Sequence, residues 1–220
     1  MRHKISASIL CANELYIAEE IEEVIKCGVD GIHIDIMDNH YVPNIGCNPK
    51  LIKALREKYK SLTIDIHLMV SPIESLIKTC CKLGASSITF HVNATNRIEE
   101  NILLIKSFDI QAGIAFKMDD DFNNYLSFLK QTDRILFMTV SPGFGGQTFI
   151  PESLESIKRC KEWLISEKTD VLLEADGGVN FSNIKKISDQ GVDSFVIGSG
   201  LFGKKDYKSI IKNIREILSA

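Results

Sequence analysis

Two imidazoles and two carboxylates, set at strand spacing, dominate the chemistry open to this chain. His33 and Asp35 stand two residues apart inside the apolar run Gly31-Ile32-His33-Ile34-Asp35-Ile36-Met37-Asp38, and a strand projects residues i and i+2 from the same face. A second run, Leu62 to Met69, carries His67 near its end. A third, Val171 to Asp176, ends on Asp176 and is followed by Gly177-Gly178. Polar groups at the ends of buried strands cost desolvation unless something binds them. Such a donor set suits Zn²⁺, Fe²⁺, Mn²⁺ or Co²⁺, and residue type does not separate these ions. The competing reading is a buried His–Asp hydrogen-bond network, the ordinary fate of any one such residue taken singly.

The elements that must position these groups alternate regularly. Short β-rich runs are expected at 4–10, 31–36, 62–68, 86–91, 110–116, 134–139, 170–175 and 192–197. Between them lie stretches of helical period, about 14–27, 49–59, 72–83, 97–107, 120–130, 152–166, 181–190 and 205–218. In the first, Leu15, Ala18, Ile21, Val24 and Ile25 make one apolar stripe with the glutamates outside it. Gly28, Gly84 and Gly191 follow helical runs where a left-handed C-cap favours glycine, and Asn180 and Ser182 read as N-cap signals. Eight strand–helix units without a linker predict a single (β/α)₈ TIM barrel over 1–220. An open doubly wound sheet would carry a glycine-rich turn after the first strand, where this chain has Leu10-Cys11-Ala12-Asn13-Glu14.

In such a barrel the C-terminal strand ends face one axis. Ser8, His33, Asp35, His67 and Asp176 then converge, which favours the metal over an internal network. Three late loops contain glycine: Gly143-Phe144-Gly145-Gly146 after the sixth strand, Gly177-Gly178 after the seventh and Gly198-Ser199-Gly200 after the eighth. Exposed backbone N–H groups there would cradle a phosphate. Met37, Met69 and Met138 fall at three strand ends and are read as pocket lining. A lone Lys117 is a weak signal for phosphate or Schiff-base chemistry, and His91 and His40 carry no assignment.

Composition narrows the classes further. Hydrophobic residues make up 45% and charged residues 25% of 220, an ordinary globular balance. The net charge of −3 and the dispersed lysines leave no electrostatic footprint for nucleic acid. No apolar run approaches the roughly 18 residues of a membrane span, and Met1-Arg2-His3-Lys4 leads into a strand with no cleavage signal. A cytoplasmic protein is therefore expected. The six cysteines have no C-x-x-C pair and read as reduced structural thiols.

The motifs Ser6-Ala7-Ser8-Ile9-Leu10, His33-Ile34-Asp35-Ile36-Met37-Asp38 with Val42-Pro43-Asn44, Asp65-Ile66-His67-Leu68-Met69-Val70, Ser141-Pro142-Gly143-Phe144-Gly145-Gly146-Gln147 and Glu174-Ala175-Asp176-Gly177-Gly178-Val179 resemble the ribulose-phosphate 3-epimerase family, in the family's order and over about residues 4–215. The resemblance implies a barrel of the ribulose-phosphate-binding type that holds one divalent metal ion per chain through His33, Asp35, His67 and Asp176. It implies that Asp35 and Asp176 are the acid/base pair, interconverting D-ribulose 5-phosphate and D-xylulose 5-phosphate through a metal-stabilised enediolate. Ser8 and His67 would touch the sugar, while Gly143, Phe144, Gly145, Gly146, Gly177, Gly178, Gly198 and Ser199 would hold the phosphate end. A small sugar phosphate is then the partner, and a homo-oligomer is expected.

Three positions depart from the family pattern. Asn39 replaces a glycine, Asn93 a glutamate, and Phe116-Lys117-Met118 an Asn-Pro pair. They touch substrate preference more than reaction type, so an allulose 6-phosphate 3-epimerase is the alternative. A decarboxylase or synthase of the related barrels would carry lysine where Met37 stands. A non-catalytic phosphosugar-binding scaffold would have lost a ligand or proton-transfer residue, and all four are present.

Overall fold

A computed structural model describes residues 2–204 and 206–219. Strands β1 (Lys4–Ser8), β2 (Gly31–Met37), β3 (Thr63–Met69), β4 (Ser87–His91), β5 (Gln111–Phe116), β6 (Arg134–Met138), β7 (Leu172–Asp176) and β8 (Ser194–Ile197) alternate with helices α1 (Ile17–Lys26), α2 (Lys50–Lys58), α3 (Glu74–Leu83), α4 (Ile98–Lys106), α5 (Leu126–Leu129), α6 (Ser153–Ser166), α7 (Ile184–Ser188) and α8 (Tyr207–Ser219). Each strand pairs in parallel with the next, and β8 pairs with β1, so the sheet closes. This is the (β/α)₈ barrel that the alternation predicts.

Pattern and packing agree over most of α1, where Ile21 and Val24 are buried, Ile25 is half-buried and the glutamates are not buried. The expected stripe is shorter than its periodicity: Leu15 precedes the helix and is exposed, and Ala18 on its first turn is exposed. Gly84 ends α3 in the left-handed conformation, at φ +98°, with its N–H on the carbonyls of Cys80 and Cys81. Two expected helices are shorter than their periodicity suggests. Within 120–130 the chain makes a 3₁₀ turn, Phe122–Tyr125, before the single turn of α5, because the Asp121 carboxylate accepts the N–H of Asn123. Within 181–190 only α7 is helical. The Asn180 side chain accepts from the N–H and hydroxyl of Ser182, closing a turn ahead of the helix, so neither residue is an N-cap.

Strands covered on both faces are often almost continuously apolar, and Ile135-Leu136-Phe137 of β6 and Phe195-Val196-Ile197 of β8 are buried in that way, but most strands of this barrel are not. One face of each strand is apolar and packs against the helices, with Ile32, Ile34, Ile64, Ile66, Ile88, Phe90 and Phe195 all at zero exposure. The alternate positions point to the barrel axis, and many are polar: His33, Asp35, Asp65, His67, Ser87, Thr89, His91, Arg134, Glu174 and Ser194 are all buried. The hydrophobic effect is spent on the outer shell, about 25 cal/mol per Å² of apolar area buried, which leaves the axis free for charge.

Candidate active site

Register brings the four predicted ligands together. Asp35 lies directly beside His67 in the β2–β3 pairing, and His33 beside Asp65. Nδ1 of His67 is 3.1 Å from Asp35 Oδ1 and 3.5 Å from Asp176 Oδ2, while Nε2 of His33 is 3.4 Å and 3.6 Å from the same two oxygens. The Nδ1 proton of His33 is donated to Asp65 Oδ2 at 2.7 Å. Nε2 of His33 is buried and has no hydrogen-bond partner. A tetrahedral ion with bonds of about 2.0–2.2 Å spaces its ligand atoms by roughly 3.3–3.6 Å, close to the separations seen here. An orphaned imidazole nitrogen inside such a cage fits a divalent metal.

The electrostatics point the same way. Burial disfavours charge on His67, yet hydrogen bonds and charges from Asp176 and Asp35 outweigh it and lift the imidazole to about 9 in the metal-free protein. Burial also opposes charge on His33, and Asp35 and Asp65 raise it well above its ordinary value. Burial would push Asp35 up, but His33 and His67 hold it below the usual carboxylate range. The cage therefore draws positive charge, as protons if no cation is supplied.

Beneath this cage lies an ion network that strand spacing could have suggested and residue type did not. Arg134 Nη1 is 2.7 Å from Asp65 Oδ2 and 3.1 Å from Glu174 Oε1. Ser87 donates to Asp65 at 2.6 Å, and Ser194 donates to Glu174 at 2.6 Å. His33, Asp65 and Glu174 also converge closely enough to hold an ion, but the Arg134 guanidinium already supplies the cation there. His91, left unassigned by its type, sits with Nε2 3.0 Å from Nε2 of His67. Burial and the neighbouring His67 push its pKa well below the ordinary value.

Above the cage, at the C-terminal strand ends, opens a cleft. Asp35 and Asp176 line it, and both histidines lie behind them. Ser8 lines it as well and donates its hydroxyl to Asp35 Oδ2 at 2.8 Å. Met37, Met69 and Met138 form part of the wall. The far end is bounded by Gly143, Phe144, Gly145, Gly146, Gly177, Gly178, Gly198 and Ser199. Gly143, Gly146, Gly177 and Gly178 have positive φ, from +64° to +120°, which L side chains rarely adopt. Cys11 also lines this end, a residue its type did not single out. Its burial pushes the thiol up, against backbone N–H groups of Gly146 and Ser199 that point at the sulfur. A Cβ on Gly145 or Gly198 would stand 2.6 or 2.8 Å from that sulfur. Among the described residues no lysine or arginine lines the cleft, so Lys117 is not part of it.

The family model for ribulose-phosphate 3 epimerases matches residues 4–202. The chain belongs to the ribulose-phosphate 3-epimerase family. A ribulose-phosphate 3-epimerase of Buchnera aphidicola subsp. Baizongia pistaciae is 43% identical over 216 residues, 97% of this chain and 95% of that protein. The enzyme of that name from Escherichia coli strain K12 is 38% identical over 219 residues, 99% and 97% of the two chains. A solved 3-keto-L-gulonate-6-phosphate decarboxylase from Vibrio cholerae superposes with a TM-score of 0.76 at 13% identity, covering 100% of this chain and 98% of that one, a likeness of fold alone. Membership makes the chain an enzyme of carbohydrate isomerisation.

The departures from the epimerase pattern acquire structural meaning. Asn39 occupies a left-handed position, φ +56°, which asparagine tolerates better than other non-glycine residues. Asn93 accepts from the Tyr41 hydroxyl at 2.5 Å and donates to Asp120 at 3.1 Å. Asp120 in turn accepts the backbone N–H of Lys117 at 2.7 Å. Asn93 and Lys117 are therefore joined at the mouth of the barrel.

Proposed function

We propose that the chain inverts carbon 3 of a ketose phosphate, interconverting D-ribulose 5-phosphate and D-xylulose 5-phosphate, with Asp35 and Asp176 as the proton-transfer pair. The observation that supports this most is the division of the cage. Its two carboxylates, from β2 and β7, reach the cleft, while its two imidazoles are sealed behind them. Inversion needs a base on one face of C3 and an acid on the other. One aspartate takes the C3 proton; the C–H electron pair becomes the C2–C3 double bond, and the carbonyl π pair moves onto O2. The second aspartate then gives a proton to the opposite face of C3 as the carbonyl re-forms. The roles exchange in the reverse reaction.

Ser8 holds Oδ2 of Asp35 and so fixes the direction in which that carboxylate acts. The methionine wall keeps water from the reacting carbon with side chains that adapt their shape. Backbone N–H groups of the glycine loops hold the phosphate without a fixed cation. His33, Asp35, His67 and Asp176 would hold one divalent ion, which when bound supplies positive charge against the charge that develops on the substrate oxygens.

Turnover of ribulose 5-phosphate and allulose 6-phosphate, with Zn²⁺, Fe²⁺, Mn²⁺ or Co²⁺ added in turn, tests this reading. The pentulose should be preferred in kcat/KM by about tenfold or more. The reverse preference overturns the pentulose assignment, and no turnover of either overturns the reaction. Metal analysis should give one ion per chain, lost in His33→Ala and in His67→Ala. Unchanged stoichiometry in both variants overturns the metal site.

A further inference from the structure

His91 stands at the end of β4, wholly buried, with Nε2 3.0 Å from Nε2 of His67. His67 turns its other nitrogen, Nδ1, towards Asp35 and Asp176. A neutral imidazole that gives the Nδ1 lone pair to a cation carries its single ring proton on Nε2. Nε2 of His91 is the hydrogen-bond partner within reach of that proton. His91 must then keep its own proton on Nδ1, an atom buried without a partner. Packing alone gives no reason for this arrangement, because an apolar residue at 91 would remove two buried polar atoms, one of them unpaired.

The surroundings hold His91 in place. The Tyr41 ring lies over it, with centroids 5.1 Å apart and planes inclined by 35°. The Tyr41 hydroxyl is tied to Asn93, and Asn93 to Asp120. A chain of contacts thus runs from the loop after β5 to the imidazole behind the cage.

We propose that His91 is a positioning residue: it accepts the Nε2 proton of His67 and thereby aims Nδ1 of His67 at the cation shared with His33, Asp35 and Asp176. Tyr41, held by Asn93 and Asp120, closes His91 from water. The inference rests on the metal reading given above, and the experiments separate the two.

The first measurement uses the unsubstituted protein, ¹⁵N-labelled at histidine and loaded with Zn²⁺. A ¹⁵N–¹⁵N coupling across the hydrogen bond between the two Nε2 atoms, with the proton resident on His67, is expected; a proton resident on His91 Nε2 overturns the proposal. The second is chelator competition for Zn²⁺ and Co²⁺. His91→Leu should weaken binding by about 10–100-fold and alter the visible absorption of the Co²⁺ form. His91→Gln, which retains an acceptor oxygen, should recover most of that loss. A folded His91→Leu variant with unchanged affinity and spectrum overturns the proposal, as does an equal loss in both variants. If His91→Leu fails to fold, the coupling measurement decides. Absence of tight binding in the unsubstituted protein would instead overturn the metal reading itself.

Discussion

Replacing Asp65 with leucine tests whether the network beneath the cage serves the cage. Asp65 is wholly buried, and its Oδ2 receives both the His33 Nδ1–H and Arg134 Nη1, each at 2.7 Å. Leucine fills a similar volume but leaves the Arg134 charge with Glu174 alone and strands the His33 N–H. Removing one partner of a buried ion pair costs about 3–5 kcal/mol. Glu174, 3.1 Å from Arg134, retains part of that interaction, so the loss should lie near ~3 kcal/mol. At roughly 2–4 °C per kcal/mol for a chain of this size, the metal-free Tm should fall by about 6–12 °C. The arginine beside it and His33 hold the Asp65 pKa below its ordinary value, although burial opposes them. Its contribution is therefore present above the unfolded pKa of ~3.9 and lost as pH falls through the lower folded value. Denaturation in EDTA at pH 5–8 should show the full difference. Metal affinity should fall independently, by about 10–100-fold, because His33 loses its orienting acceptor. Asp65→Leu/Arg134→Leu/Glu174→Leu should recover much of the stability, since apolar residues can replace a buried ionic triad, without recovering the affinity. A Tm within ~2 °C of the parent and an unchanged Kd in Asp65→Leu would refute the reasoning.

Other outcomes follow from the site. Asp35→Asn and Asp176→Asn should each lose epimerisation by roughly 10²–10⁴-fold or more, because an amide cannot shuttle the C3 proton. In D₂O the parent enzyme should place deuterium at C3 of the inverted product; full retention of the original hydrogen would exclude two exchanging carboxylates. With His67 lifted to about 9 and His33 also raised, metal uptake at pH 7 should displace their protons. The logarithm of affinity should then rise with pH from neutrality; a pH-independent affinity, measured by chelator competition, would contradict the cage as drawn. The same raised pKa means that the His67 contribution to metal-free stability is full below the unfolded value of ~6.5 and lost as pH rises through about 9. Gly198→Val places a Cβ 2.8 Å from the Cys11 sulfur and should displace the cradle, raising KM for the sugar phosphate. Loss of one hydrogen bond to a charged group predicts roughly a 10- to 150-fold rise, and equal turnover of the dephosphorylated sugar would refute the cradle.

Much of this architecture is legible in the amino-acid sequence. The alternation of short β-rich runs with amphipathic stretches defined eight units, because a period of two and a period of 3.6 are properties of local geometry. The His33/Asp35 spacing placed both side chains on one face of β2 for the same reason. The helices at 120–130 and 181–190 were overestimated because Asp121 and Asn180 bond to backbone near them, a competition that apolar periodicity does not register.

What the sequence by itself determined is the set of local choices: which residues are strand or helix, which side chains share a face, and which loops carry glycine. Only the tertiary structure decided which face of each strand meets the axis. Asp65, Arg134 and Glu174, on three different strands, and His91 on a fourth carry no local sign of one another, and closure of the barrel made them neighbours of the cage. Barrel closure also set the distance between Asp35 and Asp176, which come from β2 and β7, 141 residues apart in the chain. Contact across a barrel depends on stagger and register summed over all its strands, and no local pattern of residues carries that sum.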